Sequence, residues 1–332
     1  NFQSSDDSYI VDYDTAGQAL NLVYSGATVG WTPSSDIVNA LEPVAPVTQK
    51  AIFGFGNTGT KVSTTNLVNS SGVVASDTTG VGTGRSELAG AGYGGDKGIF
   101  GYGNAAAGSS LTNLVSNSGV VATDTTGVGT ARWGVGAAGY GTDKAIFGYG
   151  YTGSNVSMTN LVSNSGVVAA DVTGVGTART NLAAAGYSVD KAIFGYGNSG
   201  SNVSLKNLVS NSGVVAADVT GVGTARSYLA ACRYGTDKAI FAYGYTGSVV
   251  SMSNLVNNSG VVASDVSGVG TARRGLGGAS YGGDKAIFGY GYSASYLSMS
   301  NLVSNSGVVA SDVSGVGTAR GFMAALGFSY AA

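Results

Sequence analysis

Lys191-Ala-Ile-Phe-Gly-Tyr-Gly197 decides the fold, because the chain writes it six times. Near-identical copies begin at Lys50, Lys97, Lys144, Lys238 and Lys285, with a constant step of 47 residues. A fixed period of this length marks a repeat architecture. It overrides the two-domain expectation that 332 residues would otherwise give. A seventh copy would begin at position 332, so the repeats are expected to fill 50–332.

One repeat, residues 179–225, reads as four short strands. Arg179 to Tyr187 is a strand of small residues, and Ser188-Val189-Asp190 is a turn. Lys191 to Gly197 is a second strand, followed by the polar loop 198–202. Val203 to Ser210 is a third, Asn211-Ser212-Gly213 turns the chain, and Val214 to Asp218 is a fourth. Four strands punctuated this way match the meander of a propeller blade. The Leu-Ala-Ala-Ala-Gly stretch 182–186 and its copies carry little bulk, as an inner strand near a crowded axis requires. The expectation is an all-β, six-bladed propeller with four strands per blade.

The ends complement each other. The first repeat starts at Lys50, on a second strand, while residues 320–330 supply an inner strand with nothing after it. Pairing of 320–330 with 50–56 is predicted, which removes the open edges of a linear array. A β-solenoid with two coils per repeat is the rival; it is disfavoured because solenoids carry atypical end caps and these terminal copies are regular.

Residues 1–40 form a short N-terminal β segment, with strands expected at 8–14 and 18–24 and an end at Gly30-Trp31-Thr32-Pro33. Residues 41–49 form a linker. All three prolines (Pro33, Pro43, Pro46) precede the repeats, as uninterrupted strand pairing in 50–332 demands. Two or three strands hold no core alone. The segment is expected to belong to a larger upstream domain or to pair with other chains, in an oligomer such as a trimer. The chain begins at Asn1, so its native start is expected further upstream.

Charged residues make up 10% of the chain, against roughly 25% in a typical soluble protein. Six of the 18 acidic residues and none of the 16 basic ones lie before Lys50. No basic stripe suggests a nucleic-acid partner, and no apolar run of membrane-spanning length suggests insertion. There is no histidine and one cysteine, Cys232, in an alanine place of the repeat. A Ser-His-Asp set and a His/Cys zinc site are therefore excluded. The recurring Gly-Val-Gly-Thr lacks the Gly-Lys-Ser/Thr of a phosphate loop. No catalysis and no cofactor are expected. The Asp-x-Ser/Thr-Gly turns offer one carboxylate each, few for a tight calcium site.

Two charged sets repeat with the period. Asp77, Asp124, Asp171, Asp218, Asp265 and Asp312 each stand eight positions before an arginine: Arg85, Arg132, Arg179, Arg226, Arg273 and Arg320. Sixfold repetition points to scaffold, with Arg bonded to Asp or to turn carbonyls at the crossing between blades. The alternative is an arginine ring that binds an anion near the axis. Asp-Lys turns such as Asp143-Lys144 read as solvated hairpin devices, and the Asn before each Leu-Val (Asn207 and its copies) as a cap at a bend.

Recognition is expected where the copies disagree. One variable window follows Gly-Tyr-Gly and the other follows the repeat arginine. Trp133, Tyr151, Tyr228, Tyr245, Arg274 and Tyr292 are large side chains where sister repeats carry small ones. Loops at blade ends are where propellers meet partners, and these side chains suit sugar stacking or protein contact.

The run of Arg, small-residue strand, turn and apolar strand ending in Gly-Tyr-Gly resembles the kelch repeat over residues 50–332. Gly-Tyr-Gly replaces the kelch glycine pair, and the late kelch tryptophan is absent. The near-identity of the copies resembles repeat modules of bacteriophage structural proteins. Leu22-Val-Tyr-Ser-Gly-Ala-Thr-Val-Gly-Trp31-Thr-Pro resembles a β segment of phage fibre and appendage proteins. These resemblances imply a non-enzymatic virion protein, extracellular, for attachment to a host-surface glycan or protein or to other virion subunits. Alternatives are a lectin propeller and a subunit of an extracellular surface filament.

Overall fold

The computed structural model describes residues 22–24, 31–33 and 49–328. The chain divides into two units, Asn1–Pro46 and Val47–Ala332.

In the first unit, β1 (Leu22–Tyr24) pairs antiparallel with β2 (Trp31–Pro33), with Leu22 opposite Pro33. Trp31–Pro33 is thus a strand where the sequence suggested an end. The strand expected over 8–14 lies outside the described residues.

The second unit is all strand and turn among the described residues. It opens with β3 (Lys50–Asn57) and β4 (Lys61–Val68). Five triplets follow. These are β5 (Ala89–Tyr93), β6 (Lys97–Gly101) and β7 (Thr112–Val115); then β8 (Gly136–Tyr140), β9 (Lys144–Tyr151) and β10 (Asn155–Val162). Next come β11 (Ala183–Tyr187), β12 (Lys191–Gly195) and β13 (Lys206–Val209). The last are β14 (Ala230–Tyr234), β15 (Lys238–Tyr245) and β16 (Val249–Val256), and β17 (Gly277–Tyr281), β18 (Lys285–Tyr292) and β19 (Tyr296–Val303). Each triplet is one antiparallel sheet. The last strand, β20 (Ala324–Phe328), pairs with β3, placing Ala324 opposite Gly54 and Phe328 opposite Lys50. That makes the sixth sheet, β20-β3-β4. Six three-stranded antiparallel sheets are consistent with a six-bladed, propeller-like fold. The fourth segment of each repeat forms isolated bridges, such as Val209↔Val215 and Lys206↔Val219, where a strand was expected.

Side-chain size explains the layering. The first strand of each sheet is mostly Ala and Gly before a closing Tyr or Phe, and these small residues line an axial hollow of ≈ 140 Å³. Arg233 enters it at the level where the other sheets carry Gly92, Gly139, Gly186, Ser280 and Gly327. The middle strand carries the bulk. Ile193, Phe194 and Tyr196 are wholly buried, with 0%, 0% and 1% exposure, and the other copies match. Five of the six Phe residues seat against a glycine of the preceding sheet, and Phe288 against Ala242: a methyl group on Gly195 would lie 2.7 Å from Phe241 Cζ.

Gly-Tyr-Gly serves a specific bend. Tyr196 sits at φ 63° and Gly197 at φ 108°, both left-handed, and copies with longer strands shift register there. A tyrosine in that conformation is strained by about 1 kcal/mol or more. Packing compensates. The Tyr149 ring lies edge-on to Phe194 at 5.2 Å, the Arg179 guanidinium stacks 4.2 Å above it, and its hydroxyl donates to Val175 C=O. A buried cation–π contact of this kind contributes about 2 kcal/mol.

The repeat arginines hold adjoining sheets together. Each has no exposed surface. Arg179 donates from Nε to Tyr196 C=O at 2.8 Å, from Nη1 to Thr177 C=O at 3.1 Å and from Nη2 to Asn207 Oδ1 at 2.7 Å. Its carboxylate partner is Asp218, at 3.8 Å, not Asp171 eight positions earlier. The other pairs follow the same rule: Arg85–Asp124, Arg132–Asp171, Arg226–Asp265, Arg273–Asp312 and Arg320–Asp77. The short spacing misleads because the chain passes from one sheet to the next between each Asp and the following Arg. An arginine ring open to an anion at the axis is overturned, since all six guanidinium groups are sealed between sheets. Asn207 completes the network, donating to Ala216 C=O and Asp218 Oδ1. Burial pushes the Asp218 carboxyl up, but hydrogen bonds from Thr177 and Asn207 and the charge of Arg179 outweigh it and hold it below the usual range.

Candidate functional site

The two variable windows are one site. The residue after each repeat arginine bridges to the end of that sheet's second strand: Ser86↔Asn104, Trp133↔Tyr151, Thr180↔Asn198, Ser227↔Tyr245, Arg274↔Tyr292 and Asn57↔Gly321. Variation at one window therefore changes the neighbours of the other.

One residue further on lies a cycle of backbone hydrogen bonds. Gly134 N–H donates to Glu87 C=O, Asn181 to Gly134, Tyr228 to Asn181, Gly275 to Tyr228, Phe322 to Gly275 and Glu87 to Phe322, at 2.6–2.9 Å. All six residues have left-handed φ, between 53° and 64°, yet only two are glycine. Glu87, Asn181, Tyr228 and Phe322 thus project from strained backbone around a hollow of ≈ 60 Å³. Strain of this sort persists where the surroundings over-determine it, and it concentrates at ligand sites. Periodicity marks these six as equivalent; Gly134, Gly275 and Asn181 are types that favour the left-handed region, whereas Glu87, Tyr228 and Phe322 give no sign of it.

The predicted side chains fall into two groups. Trp133 and Tyr151 stack on one another, with centroids 5.0 Å apart and planes at 57°. Tyr228, Tyr245, Arg274 and Tyr292 form a second cluster, drawn from two adjoining sheets. The Arg274 guanidinium lies 4.5 Å from the Tyr245 centroid and 5.7 Å from those of Tyr228 and Tyr292. Sequence reasoning missed two members of this cluster. Tyr296 packs edge-on to Tyr292 at 5.2 Å, and Phe322 packs edge-on to Tyr228 at 5.6 Å. Both lie inside the variable windows, and size relative to sister positions would have found them. All six predicted side chains are half-buried.

Charge is sparse here. Glu87 is pushed above the usual carboxylate range by burial, with Lys61 opposing. Burial and the nearby Glu87 raise the Tyr228 hydroxyl, and Arg274 opposes. Lys61 donates from Nζ to Asn104 Oδ1 at 2.7 Å and to Ala105 C=O, tying neighbouring loops. Asn202 does the same toward Tyr245 C=O at 2.9 Å. Arg274 has a buried Nε with no acceptor.

The opposite end carries the Asp-Lys turns. Four form ion pairs, at 2.9–3.3 Å, with lysines close to half exposed. Pairs this open contribute little to stability. Cys232 is buried at 4% exposure, and no group of three or more His, Cys, Asp or Glu able to hold a metal exists among the described residues.

Compared with known proteins, the chain matches no family model, and no curated protein matches it. The kelch-like and phage-like resemblances therefore stand on the residues quoted for them.

Proposed function

We propose that the repeat unit is a closed, six-bladed, kelch-like β-propeller whose fourth strand in each blade is shortened to two bridges. We further propose that the chain is a non-enzymatic virion protein, a component of a phage fibre or appendage. Its variable face attaches to a host surface or to a neighbouring subunit. Pairing of β20 with β3 and the hydrogen-bond cycle through Glu87 and Phe322 support closure.

One observation carries the functional reading. The two windows in which the six copies disagree meet on a single face, around one axial mouth, on rigid backbone. The rest of each repeat is near-identical scaffold. A rigid face bearing unlike aromatic and polar groups binds; it offers no histidine for proton transfer and no accessible thiol. Several chains joined through the N-terminal unit would add weak sites by avidity.

The test is imaging of the intact source particle with an antibody raised against this chain. Decoration of a fibre or appendage is expected. Finding the chain only free in solution contradicts the reading.

A further inference from the structure

We propose that Arg274 and the tyrosines around it hold the anionic group of an acidic saccharide, a carboxylate or sulfate carried on a sugar ring. The inference rests on the attachment reading above and specifies its ligand.

Arg274 stands where sister repeats carry Ser86, Trp133, Thr180, Ser227 and Gly321, so the scaffold does not require it. Tyr245, at 4.5 Å, and Tyr228 and Tyr292, both at 5.7 Å, box its guanidinium. Aromatic faces hold a cation in place without neutralising it. The six repeat arginines each face an aspartate carboxylate; Arg274 faces none among the described residues, and its buried Nε–H has no acceptor. The Nε–H is too enclosed for a ligand to reach, so an oxyanion would sit on the outer Nη edge of the guanidinium, which has no partner among the described residues and gives the charge-assisted N–H···O bonds that carboxylate and sulfate groups accept.

The surroundings favour a sugar as the carrier. Tyr245 and Tyr292 are only half-buried beside Arg274, and their uncovered ring surface would stack against the C–H face of a pyranose. Beside them, the axial hollow offers Glu87 and Asn181, which accept and donate to hydroxyl groups. Glu87 also repels a second anion, which fixes the ligand's polarity: its acid sits on Arg274 and its neutral part faces the hollow. An acidic peptide matches the charge but makes no use of the stacking faces.

The test is an array of neutral, carboxylate-bearing and sulfated oligosaccharides plus a Glu-rich peptide. It is probed with the full chain and with Arg274→Gln, Arg274→Lys and, at the opposite end, Lys144→Gln. At least one acidic oligosaccharide should bind about tenfold or more above its neutral counterpart. Arg274→Gln should abolish that preference with an unchanged melting temperature, Arg274→Lys should keep part of it, and Lys144→Gln should keep all of it. Whether carboxylated or sulfated glycans respond identifies the anion. Equal binding of neutral and acidic glycans, preference surviving in Arg274→Gln, binding of the peptide alone, or binding of no acidic glycan overturns the proposal. Neutral-glycan or cell-surface binding that ignores Arg274 removes the anion assignment and leaves the attachment face standing. A chain that binds no surface at all removes both.

Discussion

Arg320 donates from Nη2 to Asn66 Oδ1 at 2.6 Å across 254 residues of sequence. The same bond joins residues only 28 apart in the other copies, Arg179 to Asn207 among them. Arg320 also donates to Phe55 C=O and stacks over Tyr290 at 4.3 Å, so the last arginine of the chain is held by its first and last complete sheets. Equivalent geometry from opposite chain ends implies equivalent energetics.

Arg320→Ala and Arg179→Ala should therefore cost the same, about 3 kcal/mol each, because both leave buried acceptors unsatisfied and a void between sheets. Urea unfolding of both variants measures this. A cost for Arg320→Ala near zero would mean that the chain ends do not lock together.

The glycine before each Gly-Tyr-Gly tyrosine has a natural substitution inside the same chain. Ala242 occupies that place in β15, and the Tyr243–Phe288 centroids there stand 5.6 Å apart, against 5.2 Å for Tyr196–Phe241. The packed phenylalanine yields by a few tenths of an ångström. Gly195→Ala should accordingly fold and cost about 1–2 kcal/mol, the usual penalty of modest overpacking. Gly195→Val, with two further methyl groups against Phe241, should not give a folded chain. Circular dichroism melts separate the two outcomes.

Acid should weaken the fold through the repeat aspartates. Asp218 and its five copies lie below their ordinary 3.8 in the folded chain. The folded state is favoured above that value and loses the advantage as pH falls through the lowered one. Glu87 works the other way. Its raised value means that its contribution is present below the ordinary 4.5 and is lost as pH rises. Six groups outweigh one, so the melting temperature should drop as pH falls from about 5 through the ordinary aspartate range and below it. Glu87→Gln should raise it slightly at neutral pH. A melting temperature flat across the acid range would contradict the network.

Cys232 is sealed in the first strand of its sheet, and burial pushes its thiol well up. It should resist alkylation in the native chain and react at once in denaturant. Rapid native labelling, followed by mass spectrometry, would show that this sheet opens.

The repeat and three of its strands were legible because period and turn residues are local signals, while the fourth segment, Val214 to Asp218, makes only isolated bridges. Pairing of the two chain ends was legible too, because each end lacked what the other carried. The ion pairs were not. Asp171 and Arg179 are close in sequence, but the chain changes sheets between them, so the true partner Asp218 is reachable only through the fold. The site was half visible. Size differences among copies marked Trp133, Tyr151, Tyr228, Tyr245, Arg274 and Tyr292, while the left-handed backbone beneath Glu87, Tyr228 and Phe322 left no trace in residue type.

The central claim is that recognition lies where the six copies disagree. Its most direct measurement compares binding of the parent chain to a panel of bacterial cells and glycans with that of one variant. In the variant, Trp133, Tyr151, Tyr228, Tyr245, Arg274 and Tyr292 are replaced by the residues of sister repeats. The parent should bind at least one surface, and the variant should bind none while melting at the same temperature. Equal binding by both would contradict the claim.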